Sequence, residues 1–203
     1  MNADELFELL KTRRSIRQYT ERRPDRATVE KLIAAACQAP SNHNRQGWKF
    51  VVFEDCEEIK RLADLARENV RSRVEKRSER KPAWAEEILE YAGGFDTAPL
   101  MILVMHKNSQ AMGRSLLTET SAELASGEVI SAAMAVENLL LMAHALGMGA
   151  CIMTAPLLAG EMWTSLPDLP PGFLPTCIVT VGYPAEDPLP PPKKELQHVV
   201  EYR

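Results

Sequence analysis

The sequence predicts one domain that mixes α-helices with β-strands. Three observations carry this. The chain has 203 residues, the size of a single domain able to bury a real core. Several segments repeat apolar residues at the helical spacing of three and four. Others are short unbroken apolar runs of strand length, the clearest at 100–105 and 176–183. The expected organisation is a single domain over 1–203, with 184–203 an extended proline-rich arm.

In order, 4–10 is a short helix with Leu6, Phe7, Leu9 and Leu10 on one face. Pro24 and Asp25 open a second helix carrying Val29, Leu32, Ile33, Ala36 and Cys37. It stops at Ala39, because a residue before proline is pushed out of the helical region. A loop at 41–47, dense in amide and hydroxyl side chains, suits an ordinary turn or the presentation of donors to a ligand. A strand follows at 49–53. Asp55-Cys56-Glu57-Glu58 resembles a capping box opening a third helix that reaches about residue 80, with Ile59, Leu62, Leu65, Ala66 and Val70 along one stripe. Its end, 71–81, holds six Lys or Arg against two Glu and reads as a solvated helix end or cover, anion steering being the lesser alternative. Trp84, Ile88, Leu89 and Tyr91 make another short helix.

The run 100–105 is a buried strand, and the polar excursion 106–127 is long enough to be a lid. Segment 128–146 is apolar nearly all the way round, so it is a buried helix. Glu137, Asn138 and His144 argue against a membrane span; His144 reads as a core histidine. Gly147 ends the helix. Gly147 and Gly149 form Gly-x-Gly without a third glycine and after a helix, which rejects a dinucleotide-binding fingerprint. Short strands are expected at 151–154 and 176–183, with a helix at 159–166. Five prolines between 184 and 192 extend the arm. Its apolar tip, Leu196, Val199 and Val200, points to packing on a neighbour.

A net charge of −4 argues against nucleic-acid binding. The acidic, polar start lacks the pattern of a signal peptide. Four scattered cysteines without Cys-x-x-Cys suit reduced thiols of a cytoplasmic protein, and four scattered histidines give no metal-ligand spacing. Against that negative balance, three arginines crowd into positions 13–17. If the run is extended, Arg13, Ser15 and Arg17 share one side, with outer Cα atoms roughly 13 Å apart at about 3.3 Å per residue. Two cations flanking a hydroxyl suit an elongated anion; a solvated basic turn is the plainer alternative. Arg14 falls on the opposite face.

Three stretches, RRSIRQY after the first helix, APSNHNRQGWKF after the second, and ENLLLMAHALGMGA with VTVGYPAEDPLPPPKK late in the chain, together resemble the nitroreductase family of FMN-dependent oxidoreductases. The resemblance covers 3–194. It implies an α+β fold, a mostly antiparallel central sheet flanked by helices, and a homodimer with non-covalent FMN at the interface. Helix 128–146 would be the central dimer helix, and the arm would reach over the partner. The implied FMN-binding residues begin with Arg13, Arg14, Ser15 and Arg17. Arg13 would lie on the phosphate and Arg17 by the pyrimidine edge, where a cation favours the reduced form. Arg14 would be a packing or surface member of that run. Pro40, Ser41, Asn42 and Asn44 would reach the flavin from the other subunit. The backbone amides of Thr154 and Ala155 would lie by the ring, with Lys193 and Lys194 at the phosphate.

The implied reaction uses NAD(P)H to reduce a nitroaromatic, quinone or similar electron-poor acceptor in two half-reactions at one site. The flavin carries the chemistry, so no catalytic side chain is required. Two alternatives remain: a same-fold flavoenzyme with different chemistry (dehalogenation, ene reduction or flavin breakdown), or a flavin-binding protein without turnover. The chain departs from the family pattern at Gly47, where proline is usual, Asn42, where a small residue is usual, Ser131, where an acid is usual, and Glu137, where glutamine is common. Asn69 is a candidate for a further flavin contact on the third helix.

Overall fold

The apolar run at 100–105 lies at the centre of the molecule. In a computed structural model that describes residues 2–77, 83–108 and 127–203, it belongs to a strand, Leu100–Lys107, whose first six residues are all buried. We label the strands β1 (Trp48–Phe53), β2 (Leu100–Lys107), β3 (Gly149–Met153) and β4 (Phe173–Gly182). They form a sheet in the order β1-β2-β4-β3 with every neighbour antiparallel. The run is unbroken because both faces of the sheet are covered. Leu100, Ile102 and Val104 face a core with Leu32, Leu139 and Val179. Met101, Leu103 and Met105 face a second core with Ile59, Leu62 and Trp163. Side chains alternate along a strand, so a strand between two cores needs apolar residues at every position. The register slips between Val104 and Met105, opposite Pro175, which has no N–H for the ladder.

The helices are α1 (Ala3–Thr12), α2 (Arg26–Ala36), α3 (Cys56–Arg77), α4 (Ala85–Gly93), α5 (Gly127–Ala145) and the single turn α6 (Glu161–Thr164). Local chemistry sets several of their ends. Asn2 and Glu5 cap α1 reciprocally, with both bonds at 2.9 Å. Asp25 accepts the Thr28 N–H at 2.7 Å, and Asp55 accepts that of Glu57 at 3.0 Å. Gly147, at φ 71°, closes α5 as Met148 N–H returns to the Ala143 carbonyl. Helices α2 and α5 cover one sheet face; α3, α4 and a 3₁₀ turn at Ala155–Ala159 cover the other.

α5 is long and apolar enough by composition to cross a membrane, yet Val136, Leu139, Leu140 and Ala143 pack into the core. Ile130, Ala133 and Glu137 line its outer side. Leu6, Phe7 and Leu10 of α1 are likewise exposed, and α1 buries no residue.

Some boundaries move. α2 ends at Ala36, three residues before the proline-imposed stop, in a turn where Ala39 N–H reaches the Ala36 carbonyl. β3 begins at Gly149. The helix expected at 159–166 is instead the turn Ala155–Ala159 and then α6, divided at Gly160 with φ 67°. Past a bridge at Pro184 the arm is irregular except for a 3₁₀ turn at Leu196–His198, and Leu189, Leu196, Val199 and Tyr202 are exposed on it. The end of the basic segment (78–81) and most of the 106–127 excursion (109–126) lie outside the described residues.

Candidate active site

The basic run leaves α1 at Arg13 and lies along the open edge of β3. Ser15 makes a parallel bridge to Ala150, and Ile16 N–H donates to the Ala150 carbonyl at 3.1 Å. Ile16 is buried against Gly149: a Cβ there would stand 2.6 Å from the Ile16 Cβ. That close approach is what the second glycine of Gly-x-Gly serves. With Ile16 turned inward, Ser15 and Arg17 turn away, as the extended alternation requires; Arg17 is exposed and Arg13 and Ser15 are half-buried.

Both Arg13 and Arg17 act electrostatically on Cys151 of β3, although burial dominates and pushes that thiol up. Arg13 Nε lies 3.9 Å from Glu137 Oε1 on α5. Arg14 turns back, its Nη1 donating to the Lys11 and Arg13 carbonyls, both at 2.8 Å. It thereby caps the C-terminal end of α1. His144 Nε2 meets Thr12 Oγ1 at 2.9 Å, and its pKa is lowered by burial and then by Arg13 and Arg14. It ties α1 to α5 by this hydrogen bond, but at a half-buried position outside both cores rather than as the core histidine expected.

Thr154 and Ala155 follow β3 directly, at the far end of the strand that bridges Ser15, and open the turn Ala155–Ala159. Lys193 and Lys194 are exposed on the arm. Asn69 donates to the Leu65 carbonyl of its own helix at 2.9 Å.

The polar loop occupies a different part of α5. Asn42 N–H donates to Ser131 Oγ at 3.1 Å, and Ser131 O–H donates to the Gly127 carbonyl at 2.5 Å. Arg45 Nη1 lies 3.6 Å from Glu128 Oε1, and Ser41 Oγ accepts the Gln46 N–H at 2.9 Å. His43, Asn44 and Gln46 all have positive φ (50°, 52° and 48°). Such conformations cost about 1 kcal/mol or more each, so the tertiary ties impose the loop's shape. Gly47 is anchored as well, its carbonyl taking the Lys107 N–H at 2.7 Å. Between loop and helix opens a groove of about 480 Å³ lined by Pro40, Ser41, Asn42, Gly127, Ile130, Ser131 and Met134.

Ser131 and Glu137, which mark the loop and the run on α5, are six residues apart. At 3.6 residues per turn that is roughly 9 Å along the axis and about 120° around it. Within one chain the two residue sets therefore meet α5 nearly two turns apart, and Ile130 of the groove shares the outer side of the helix with Glu137.

Sequence reasoning missed three supports of the run. Tyr19 O–H donates to the Ile16 carbonyl at 2.5 Å and pairs with Thr180 Oγ1 at 2.7 Å; burial pushes its pKa well up. Glu186 accepts the N–H groups of Arg17 and Gln18. Gly149, in sequence, is only the second glycine of the incomplete Gly-x-Gly fingerprint. The available signals were an aromatic closing the RRSIRQY stretch, an acid amid prolines, and a glycine left without a role. Among the described residues no group of His, Cys, Asp and Glu could hold a metal ion.

The Nitroreductase family model matches residues 10–183. Over 189 residues the chain is 31% identical to 5,6-dimethylbenzimidazole synthase of Rhodospirillum rubrum, covering 92% of this chain and 86% of that protein. Over 206 residues it is 27% identical to iodotyrosine deiodinase of Thermotoga neapolitana, covering 97% of each. Two solved structures share the fold at 20% identity. A BluB-like flavoprotein of Clostridium difficile has a TM-score of 0.84 over 98% of each chain. A nitroreductase with bound FMN from Desulfitobacterium hafniense has a TM-score of 0.73 over 100% of each.

Proposed function

The chain belongs to the nitroreductase family, and from that premise we propose that it is an FMN-dependent oxidoreductase that uses NAD(P)H to reduce nitroaromatic, quinone or similar electron-poor acceptors. The observation that carries this is the row Arg13, Ser15 and Arg17 along the edge of β3, with Thr154 and Ala155 at the end of the same strand. The donor set fits FMN. One cation suits a phosphate, a hydroxyl and backbone amides suit a polyol and ring, and a second cation suits an electron-rich pyrimidine edge. Arg13 would hold the phosphate, with Lys193 and Lys194 of the arm; Arg17 would stand by the pyrimidine edge. Arg14 would serve indirectly, by capping the helix that delivers the run. When bound, FMN would supply hydride acceptance from NAD(P)H and onward reduction of the acceptor at one site.

The active form in this reading is a cytoplasmic homodimer. Exposed Ile130, Leu6, Phe7 and Leu10 provide apolar surface for a second copy. The separation of loop and run along α5 suits Pro40, Ser41, Asn42 and Asn44 serving the second subunit's flavin. Cys37, Cys56, Cys151 and Cys177 are free, which suits a reducing compartment. The single domain with an extended arm over 184–203 belongs to the same reading.

A second reading keeps the cofactor and changes the acceptor chemistry. It is favoured by the synthase and the deiodinase among the relatives, neither of whose names describes nitro reduction. One experiment separates the readings. The purified protein is expected to be yellow, to bleach anaerobically with NADH or NADPH, and to recover its colour with a nitroarene or quinone. A colourless protein that FMN cannot reconstitute would refute both readings. A yellow protein that neither nicotinamide bleaches would point to binding without turnover, and recovery only with iodotyrosine would favour the second reading.

A further inference from the structure

We infer that Glu186 is a latch on the basic run: its carboxylate fixes the backbone at Arg17 and Gln18 and, by its charge, sets how strongly the site prefers reduced over oxidised flavin. The flavin half of this rests on the FMN reading above. The run belongs to no helix and no full strand. Two isolated bridges hold it, Ser15 to Ala150 and Tyr19 to Pro184. At the second bridge the root of the arm pairs with the run through two backbone bonds, Thr20 N–H to the Tyr183 carbonyl and Ala185 N–H to the Gln18 carbonyl, both at 2.9 Å.

There the backbone ladder stops. Arg17 and Gln18 would be left with unmatched N–H groups, and such groups need partners. One oxygen, Glu186 Oε1, takes both, at 2.5 Å and 3.0 Å. Hydrogen bonds to an ionised acceptor are roughly twice as strong as neutral ones, so this is the firmest tie between the arm and the run. The carboxylate engages the backbone of Arg17 and leaves its guanidinium facing outward.

The same contact places an acidic side chain against the backbone of Arg17. Tyr19 and Cys151 both register the opposed pair, Glu186 raising and Arg17 lowering each pKa. Glu186 is therefore a positioning residue with two separable properties, an oxygen acceptor and a charge. Glu186→Ala removes both. Glu186→Gln keeps an oxygen that can accept while removing the charge, which favours an anionic reduced ligand.

The test uses amide hydrogen exchange, FMN titration and the two-electron midpoint potential. In Glu186→Ala the Arg17 and Gln18 amides should exchange at least tenfold faster than in the wild type, and FMN dissociation constants should rise about tenfold. In Glu186→Gln oxidised FMN should still bind and the Arg17 and Gln18 amides should stay protected, because an accepting oxygen remains. The ratio of reduced to oxidised affinity should rise about tenfold, read as a potential about 30 mV more positive. Equal exchange at both amides in wild type and Glu186→Ala would overturn the latch. An unchanged potential in Glu186→Gln with FMN bound would overturn its electrostatic half. A wild type that binds no FMN would overturn the functional reading instead, and exchange alone would then decide the latch.

Discussion

Replacing Gly149 with alanine should drive the basic run off the sheet. The new Cβ would stand 2.6 Å from Cβ and Cγ2 of Ile16 and 2.8 Å from its Cγ1. Carbon atoms settle at about 3.5–4.0 Å, so strand and run must part by about 1 Å. The obstructing atoms sit at the branch of a β-branched side chain, which cannot swing clear as a flexible tip would. The Ile16 N–H bond to Ala150, now 3.1 Å, would stretch beyond bonding distance. Overpacking costs about 1–3 kcal/mol and the lost bond about 1 kcal/mol, so urea unfolding should show a loss of about 2–4 kcal/mol. FMN affinity should fall about tenfold or more, since a shifted run forfeits a charge-assisted contact. Adding Ile16→Ala should not rescue either property, because the contact between the two Cβ atoms remains. A Gly149→Ala protein with wild-type urea midpoint and wild-type FMN affinity would refute the packing of run on strand.

Two further outcomes follow from the supports of the run. Tyr19→Phe removes the O–H that donates to the buried Ile16 carbonyl, and should cost about 1–3 kcal/mol in urea unfolding; an unchanged midpoint would deny Tyr19 this role. Burial pushes the Cys177 thiol from 9.0 up to about 12, so the folded chain keeps it neutral while the unfolded chain ionises it near pH 9. The stability this contributes is full below about pH 9 and is lost as pH rises toward 12. Cys177→Ala should make the alkaline fall in stability shallower, and an unaltered profile would refute the assignment.

What the sequence reveals is local or periodic. Asp25, Asp55 and Gly147 act on backbone within four residues, and each marks a helix end where expected. Within the 13–17 run the local signal that holds is Ile16, an apolar residue that is buried while Arg17 beside it is exposed. The hidden features depend on distant partners. Glu186 meets Arg17 across 169 positions, and Ser131 meets Asn42 across 89. Gly149 is required by the bulk of Ile16, which nothing beside it in the chain announces. Likewise Asn44 and His43 are residue types that tolerate positive φ, whereas Gln46 adopts it with its N–H held by Ser41 Oγ and its side-chain amide by Asn44 Oδ1. The division of the stretch after β3 into a 3₁₀ turn and α6 hinges on Gly160, whose freedom at φ 67° cuts an otherwise plausible helix.

The central claim is that the basic run holds FMN, and titrating FMN into wild-type and Arg13→Ala protein tests it most directly. The only described tie of the Arg13 side chain to an acid is the 3.9 Å approach to a half-exposed Glu137, and so loose a pair contributes little to stability. The variant should therefore fold as the wild type does. Loss of a charge-assisted phosphate contact is worth about 1.5–3 kcal/mol, which predicts an affinity about 10- to 150-fold weaker. Equal FMN affinity in the two proteins, both folded, would contradict the account.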